Sequence, residues 1–252
     1  MLVAFRRALA GAITFALVHP ALAQQTVGMQ YDHPTTDANY GGYYVGPNVG
    51  TMFPGVGNPG QSKTITMFCV DFMNEVTFNQ TWTANVSPLA GSSLGLTREP
   101  TGVAGYRKAV WLADQFSVQA PQYWGGIQSA IWDIFGAPGF DGNPVKDAQQ
   151  QVVATDAHNA DYWTAQADAF AASTAFGTYD YSRWAVITAT GAAGLRQGGG
   201  PQEFLSEDVM PTNSPGVAGQ VVPEPATVAL VATGVGGVAF VVRRRRRSGR
   251  KS

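Results

Sequence analysis

Alternating apolar and polar positions predict several short β-strands. Residues 62–70 combine β-branched and aromatic side chains, which predicts a strand that ends at Cys69. The same patterning predicts further strands at 43–45, 50–53, 75–78, 81–86 and 183–190. Asn79 and Gln80 predict a turn between two of these strands. After a loop at 191–201, residues 202–205 are expected to form a short ordered segment.

A helical periodicity separates the early strands from the strand at 183–190. Apolar side chains follow the i, i+3, i+4, i+7 spacing at Tyr106, Ala109, Val110, Ala113 and Phe116. Residues 125–135 predict a second short helix, and the Ala- and Gln-rich residues 145–175 predict further helix. We therefore expect a mainly β fold with a helical insertion around 104–175, an α+β arrangement built on a β-sandwich or a barrel.

The N-terminal residues have the pattern of a secretory signal peptide. Arg6 and Arg7 precede an apolar run at 8–18, and Ala21-Leu22-Ala23 provides a small-x-small cleavage site. The apolar run is too short to span a bilayer comfortably. We expect residues 1–23 to be removed after Ala23, so that the rest of the chain is exported.

A second apolar run, residues 226–242, lies near the C-terminus and contains no charged residue. Its length reaches the lower limit for a transmembrane helix. Five consecutive arginines follow it directly: Arg243, Arg244, Arg245, Arg246 and Arg247. Such a cluster stays on the cytoplasmic side of a membrane, so the run is expected to anchor the precursor there.

Pro223-Glu224-Pro225 stands directly before this apolar run. A Pro-Glu-Pro tripeptide, an apolar span and a terminal Arg cluster, in this order, resemble the PEP-CTERM sorting signal. The resemblance implies export across the inner membrane of a Gram-negative bacterium that makes exopolysaccharide. It also implies processing by an exosortase, a membrane cysteine transpeptidase that cleaves near the motif. The membrane-anchored precursor would then give a product at the cell surface or in the extracellular matrix.

The charge balance changes once these two ends are set aside. The whole chain has a formal net charge of −1, but residues 24–222 hold seven basic and 16 acidic side chains, a net charge of −9. An acidic exported part argues against nucleic-acid binding. A single cysteine excludes a disulfide framework. We divide the chain after the signal peptide into an exported domain at 24–206, a flexible stalk at 207–222 and a sorting segment at 223–252.

The single cysteine lies in a pattern that suggests chemistry. Cys69 follows an aromatic residue, and Gln128 stands 59 positions later in an apolar-Gln-polar-apolar-apolar motif. This pair resembles the bacterial surface thioester domain, in which the Cys sulfur is bonded to the Gln side-chain carbonyl. The resemblance implies a Cys69–Gln128 cross-link that a surface amine or hydroxyl captures. Three neighbouring aromatic residues are candidates to shield the bond from water: Phe68, Trp124 and Trp132.

Two hypotheses stay open for the function. The first is covalent attachment through the thioester, and the second is a non-covalent structural component of an exopolysaccharide or biofilm matrix, with Cys69 as a buried free thiol. Neither is an enzyme, and neither needs a cofactor. No metal site is expected, because His-x-x-x-His and Cys-x-x-Cys patterns are absent from the sequence. A hydrolase acting on the matrix would require paired carboxylates in a cleft.

Overall fold

The structure, a computed structural model, describes residues 25–53, 62–90, 94–99, 102–136, 146, 148–151, 153–207 and 209. These residues belong to one compact unit, and the second unit, residues 211–252, lies outside the described part of the chain. The predicted signal peptide and the predicted transmembrane segment 226–242 also lie outside it. Among the described residues, no helix combines the length and the apolar character needed to cross a membrane.

Six antiparallel strands form a closed barrel in the order β1-β4-β5-β8-β7-β6, and β2 pairs only with β3. The strands are β1 Gln25–Pro34, β2 Asn39–Tyr40, β3 Tyr43–Tyr44, β4 Asn48–Phe53, β5 Lys63–Cys69, β6 Thr81–Pro88, β7 Ala185–Ala189 and β8 Phe204–Ser206. The β2–β3 hairpin turns at Gly41 and Gly42, whose φ angles of 59° and 93° are those a tight two-residue turn favours. The barrel confirms the predicted α+β class and selects the barrel among the two expected sheet arrangements.

Alternation along the strands decides which side chains fill the barrel. In β1, Val27, Met29 and Tyr31 are buried, while the residues between them are partly or fully exposed. In β7 and β8 every residue is buried, so both faces of these strands are covered. The barrel therefore has a solvent-facing side around β1 and a covered side around β7 and β8.

The helical insertion, which stands between β6 and β7 in the chain, packs against the barrel. It contains α1 Val103–Val118, a 3₁₀ turn at Pro121–Tyr123, α2 Trp124–Ile134, α3 Ala160–Ala171 and α4 Thr174–Thr178. The predicted inner face of α1 is buried in full, from Tyr106 to Phe116. The Phe116 ring stacks on Phe68 of β5 with centroids 5.8 Å apart, which fixes α1 against the barrel.

Two expectations about local structure were wrong, and one strand was not predicted. Residues 75–78 form no strand, because the following turn instead bonds to β1: Asn79 N–H donates to the Tyr31 carbonyl and Tyr31 N–H to that of Gln80. The helix expected over 145–175 begins only at Ala160 among the described residues. Strand β1 was not predicted, although its apolar side chains alternate with polar ones or glycine.

Candidate functional site

Cys69 is the last residue of β5, where its backbone pairs with Phe204 of β8. Its side chain is buried, and the Sγ–H group donates to the Asp71 carbonyl at 3.3 Å. Burial raises the pKa of the Cys69 thiol to about 12. Since the thiolate is the nucleophilic form, the surroundings keep an unreacted thiol protonated and inert towards outside reagents.

Gln128 lies in α2 and approaches Cys69 from the helical layer. Its side chain is 1% exposed, and Nε2 donates to the Cys69 carbonyl oxygen at 2.8 Å. Its Oε1 atom is buried and has no hydrogen-bond partner among the described residues. A buried acceptor without a partner costs about 1–3 kcal/mol, so the carboxamide is held at Cys69 in an energetically unfavourable state.

Trp132 follows Gln128 by one helical turn and therefore lies on the same face of α2. A side-chain hydrogen bond between Trp132 and Cys69 lowers the pKa of the thiol, against the larger effect of burial. The indole is buried, and its ring lies 4.9 Å from the ring of Phe72. One helix face thus directs a carboxamide to the Cys69 backbone and an indole to its sulfur.

The other two predicted shield residues lie elsewhere. Phe68 precedes Cys69 in the strand, so its side chain lies on the opposite face of β5. Its ring stacks on Phe116, and the Trp124 ring contacts the same Phe116 edge-on at 5.7 Å. The structure therefore brings Cys69, Gln128 and Trp132 together and places Phe68 and Trp124 in a separate aromatic cluster.

A cleft of about 320 Å³ is lined by residues next to the Cys–Gln pair in the chain, among them Val70 and Trp132, while Cys69 and Gln128 themselves lie behind this lining. Its apolar wall consists of Val70, Phe72, Met73, Trp132 and Phe135. At its rim, Arg196 Nε lies 2.7 Å from the Glu99 carboxylate, and both side chains are partly exposed. The residues that flank the Cys–Gln pair in sequence thus line a space that a ligand can enter.

A buried charge network forms the polar wall of this cleft. The side-chain Nε of Arg98 lies 2.8 Å from the Asp71 carboxylate. The backbone N–H of Arg98 donates a hydrogen bond to Glu203 Oε1 at 2.8 Å. Glu203 also accepts hydrogen bonds from Tyr106 and Thr188, each at 2.5 Å. Burial raises the pKa of the Glu203 carboxyl, and these hydrogen bonds oppose that rise.

Sequence reasoning missed the roles of Arg98 and Glu203. Arg98 forms a buried ion pair with Asp71, which stands two positions after Cys69. One signal was available, since Glu203 stands directly before the apolar pair Phe204-Leu205 in a segment expected to be ordered. A carboxylate there calls for a buried partner. In the described part of the chain, no three His, Cys, Asp or Glu side chains are grouped to hold a metal ion.

Comparison with known proteins identifies the C-terminal segment. Residues 221–247 match the family model of the PEP-CTERM protein-sorting motif. No curated protein matches the chain, and no solved structure matches it either. The match confirms the predicted sorting signal, including Pro223-Glu224-Pro225 and the five arginines. These comparisons give no support to the resemblance to thioester domains, which stays a prediction.

The motif implies an exported, surface-sorted protein that is processed by an exosortase. It covers 27 residues, so it defines how the chain is sorted. The activity of the barrel must be argued from the barrel itself.

Proposed function

We propose that the barrel forms an internal thioester between Cys69 and Gln128 and uses it to attach the exported protein covalently at the cell surface or in the extracellular matrix. One observation carries the proposal. The Gln128 carboxamide lies against Cys69 through a 2.8 Å hydrogen bond, and both side chains are buried. The hydrogen bond joins Gln128 Nε2 to the Cys69 backbone carbonyl, so it supports the proposal by holding the carboxamide at the residue that carries the thiol, in a water-poor setting.

The chemistry balances with these groups alone. The Cys69 sulfur attacks the Gln128 carboxamide carbon, the C–N bond breaks, and ammonia leaves with the thiol proton. The product is a thioester. An incoming amine then attacks the same carbon, forms an amide with Gln128, and returns a proton to the departing sulfur, which becomes a thiol again. No oxidant or cofactor is needed, and the protein is consumed once rather than turned over, so it is not an enzyme.

Burial serves each of these steps. Cys69 is 5% exposed and Gln128 is 1% exposed, which protects a thioester from hydrolysis until an acceptor enters the adjacent cleft. Trp132, one helical turn after Gln128 in α2, adds a buried aromatic ring to this water-poor setting.

Intact-mass measurement of the purified full chain tests the proposal. We expect a mass lower by one ammonia than the sequence mass of the same processed form, and this deficit is absent in Cys69→Ser and Gln128→Glu. Gln115→Glu, on α1, serves as the matched control and retains the deficit, because Gln115 bonds only locally to the Trp111 carbonyl. A wild-type mass without the deficit contradicts the proposal.

A second function, a non-covalent component of an exopolysaccharide or biofilm matrix, is favoured by a different observation. The Cys69 thiol already has an acceptor in the Asp71 carbonyl, as a structural buried cysteine would. In that case methylamine adds no mass to the wild-type protein and releases no thiol. An adduct that appears only when Cys69 and Gln128 are both present excludes this second function.

A further inference from the structure

Several large apolar side chains near the proposed thioester are exposed to solvent. The aromatic surface, as we call it, consists of the β2–β3 hairpin tip and the loop after β5, and its exposed members are Tyr43, Tyr44, Met73 and Phe78. Each of them is at least 41% exposed. Exposed large apolar side chains grouped in this way on a folded protein mark a binding surface more often than isolated ones do.

The aromatic surface leads directly to the proposed thioester. The Tyr43 ring lies 5.0 Å from that of Phe72, and Phe72 lies 4.9 Å from Trp132. Trp132 in turn lies one helical turn after Gln128, on the same face of α2. A polymer bound along these rings would therefore present its functional groups beside the Cys69–Gln128 pair.

The surface is set in an acidic part of the chain. Between residues 25 and 97 the sequence contains one basic side chain, Lys63, apart from His33. The same stretch contains four acidic side chains: Asp32, Asp37, Asp71 and Glu75. Asp71 is buried and paired with Arg98, but the three other carboxylates still outnumber Lys63, which favours a partner that carries positive charge. Exposed aromatic rings add cation–π attraction for such a partner.

Among the described residues that line the cleft, no uncommitted base is placed to activate that partner. Each carboxylate that lines the cleft already has a partner: Asp71 pairs with Arg98, Glu99 with Arg196, and Glu203 accepts hydrogen bonds from Tyr106, Thr188 and Arg98. Neither of the two described histidines lines the cleft. His158 is hydrogen-bonded to Asp156, and His33 to the Pro34 carbonyl. Without a base in reach, the acceptor amine must arrive unprotonated.

This requirement discriminates between amines. A lysine amine, with an ordinary pKa of about 10.4, is unprotonated in only about one molecule in a thousand at pH 7.4. In a 2-amino sugar, the neighbouring hydroxyl and ring oxygens withdraw electrons, so the amine is far less basic and a large fraction is neutral near pH 7. The remaining protonated units still supply positive charge, and the flat apolar faces of sugar rings stack on exposed Tyr and Phe side chains.

We propose that the acceptor of the thioester is a 2-amino sugar unit of a polysaccharide that docks on the aromatic surface. This inference rests on the proposed function. The neutral sugar amine attacks the Gln128 acyl carbon, the carbon–sulfur bond breaks, and the amine proton passes to the Cys69 sulfur. The product is a sugar amide of Gln128 and a free Cys69 thiol.

The test uses the full chain and three probes at pH 7: a glucosamine oligosaccharide, an N-acetylglucosamine oligosaccharide of equal length, and a lysine-rich peptide of matched charge. We expect mass adducts with the glucosamine oligosaccharide to form at least about tenfold faster than with the peptide. The acetylated oligosaccharide gives none, since it lacks a nucleophilic amine. At pH 9 more of the lysine amines are unprotonated, so we expect the rates of adduct formation with the glucosamine oligosaccharide and with the peptide to become more similar.

Two variants separate docking from chemistry. Tyr44→Ala is expected to slow the oligosaccharide reaction about threefold to tenfold while leaving the methylamine reaction unchanged. Val118→Ala, which truncates an apolar residue on α1 that is more exposed than Tyr44, leaves both rates unchanged. Equal rates for peptide and oligosaccharide at pH 7, or an equal effect of Tyr44→Ala on methylamine, overturn the inference while the thioester itself stands.

The Cys69→Ser variant measures docking without the thioester. We expect it to bind the glucosamine oligosaccharide, and the added Tyr44→Ala change to weaken that binding. If the wild-type chain lacks the ammonia deficit, the proposed function fails and the acceptor inference fails with it. Binding that survives in this case supports the non-covalent matrix function instead.

Discussion

At the scale of single residues, Arg98 makes the most demanding set of contacts in the barrel. Its side chain is 4% exposed, yet all three guanidinium nitrogens have an acceptor. Nε pairs with Asp71, and the two terminal nitrogens donate to four backbone carbonyls: those of Leu195, Gly198, Gly200 and Pro201. One side chain therefore holds the whole loop that leads into β8.

This network gives a prediction about stability. Arg98→Met keeps much of the side-chain volume but leaves the buried Asp71 carboxylate without its cation, so we expect a loss of about 3–5 kcal/mol in the free energy of unfolding. Arg196→Met is the matched control. It breaks an exposed pair with Glu99 and should cost less than about 1 kcal/mol. Urea denaturation of both variants checks the difference, and equal losses would contradict the role assigned to Arg98.

The residues also show how far sequence reasoning reaches. The pairing of Cys69 with Gln128 rests on short local motifs, and the structure places the Gln128 amide at the Cys69 carbonyl. The partners of Arg98 are about 100 positions away in a glycine-rich loop with no motif of its own. Such contacts depend on how the loop returns to the barrel, which local patterns do not encode.

At the scale of elements, the missed strand β1 and the helix expected over 145–175 have distinct physical explanations. β1 alternates correctly, but Gly28 interrupts it, and Gly- and Pro-rich residues follow, which conceals a ten-residue strand. Residues 145–159 have helix-forming composition without a sustained apolar face, and propensity alone does not stabilise a helix. The helices with a clear apolar stripe, α1 and α2, were predicted within a few residues of their ends.

The position of α2 depends on a close approach at its first turn. A Cβ atom at Gly126 would lie 2.9 Å from the backbone carbon and oxygen of His158, which cannot move aside as a flexible side chain would. Gly126→Ala is therefore expected to destabilise the protein by about 1–3 kcal/mol, despite the better helix propensity of alanine. It should also reduce the ammonia deficit, because a shift of α2 carries Gln128 away from Cys69.

Gly177→Ala provides the control for this prediction. Gly177 lies in α4, and a Cβ there meets nothing within 4 Å. The same substitution should leave stability unchanged or raise it by up to about 1 kcal/mol, and leave the mass deficit intact. Thermal unfolding and intact mass give both readouts, and a Gly126→Ala protein as stable as the wild type would contradict the packing argument.

At the scale of the whole molecule, the sequence pattern does not predict that the sheet closes into a barrel. β1 pairs with both β4 and β6, and the three-residue strand β8 joins β5 to β7. The pairing of β5 with β8 connects segments that lie far apart in the chain. Because alternation reports only that one strand face is buried, it is satisfied equally by a sandwich and by a barrel. The short β8, held by the Arg98 and Glu203 contacts, decides between them.

The charges of the chain are divided between the barrel and its sorting signals. Seven of the 16 basic residues lie in 24–222, and the others belong to the signal peptide and the C-terminal segment. The motif implies export of the acidic part, and the Arg cluster favours the cytoplasmic side, so we expect the precursor to be oriented with Pro223-Glu224-Pro225 on the outer side of the membrane. Glu224 stands between the two prolines and is the one charged residue between Asp208 and Arg243.

This arrangement makes Glu224 the residue on which sorting should depend. Glu224→Ala keeps both prolines but removes the charge between them, and we expect the uncleaved precursor to accumulate in the membrane fraction. Pro215→Ala, in the predicted stalk, is the control and should be processed normally. An antibody against the barrel follows the size and location of each form in cells. Because the substitution lies outside the barrel, the purified variant should retain the ammonia deficit of the wild type. Normal processing of Glu224→Ala would show that the carboxylate is not read by the exosortase.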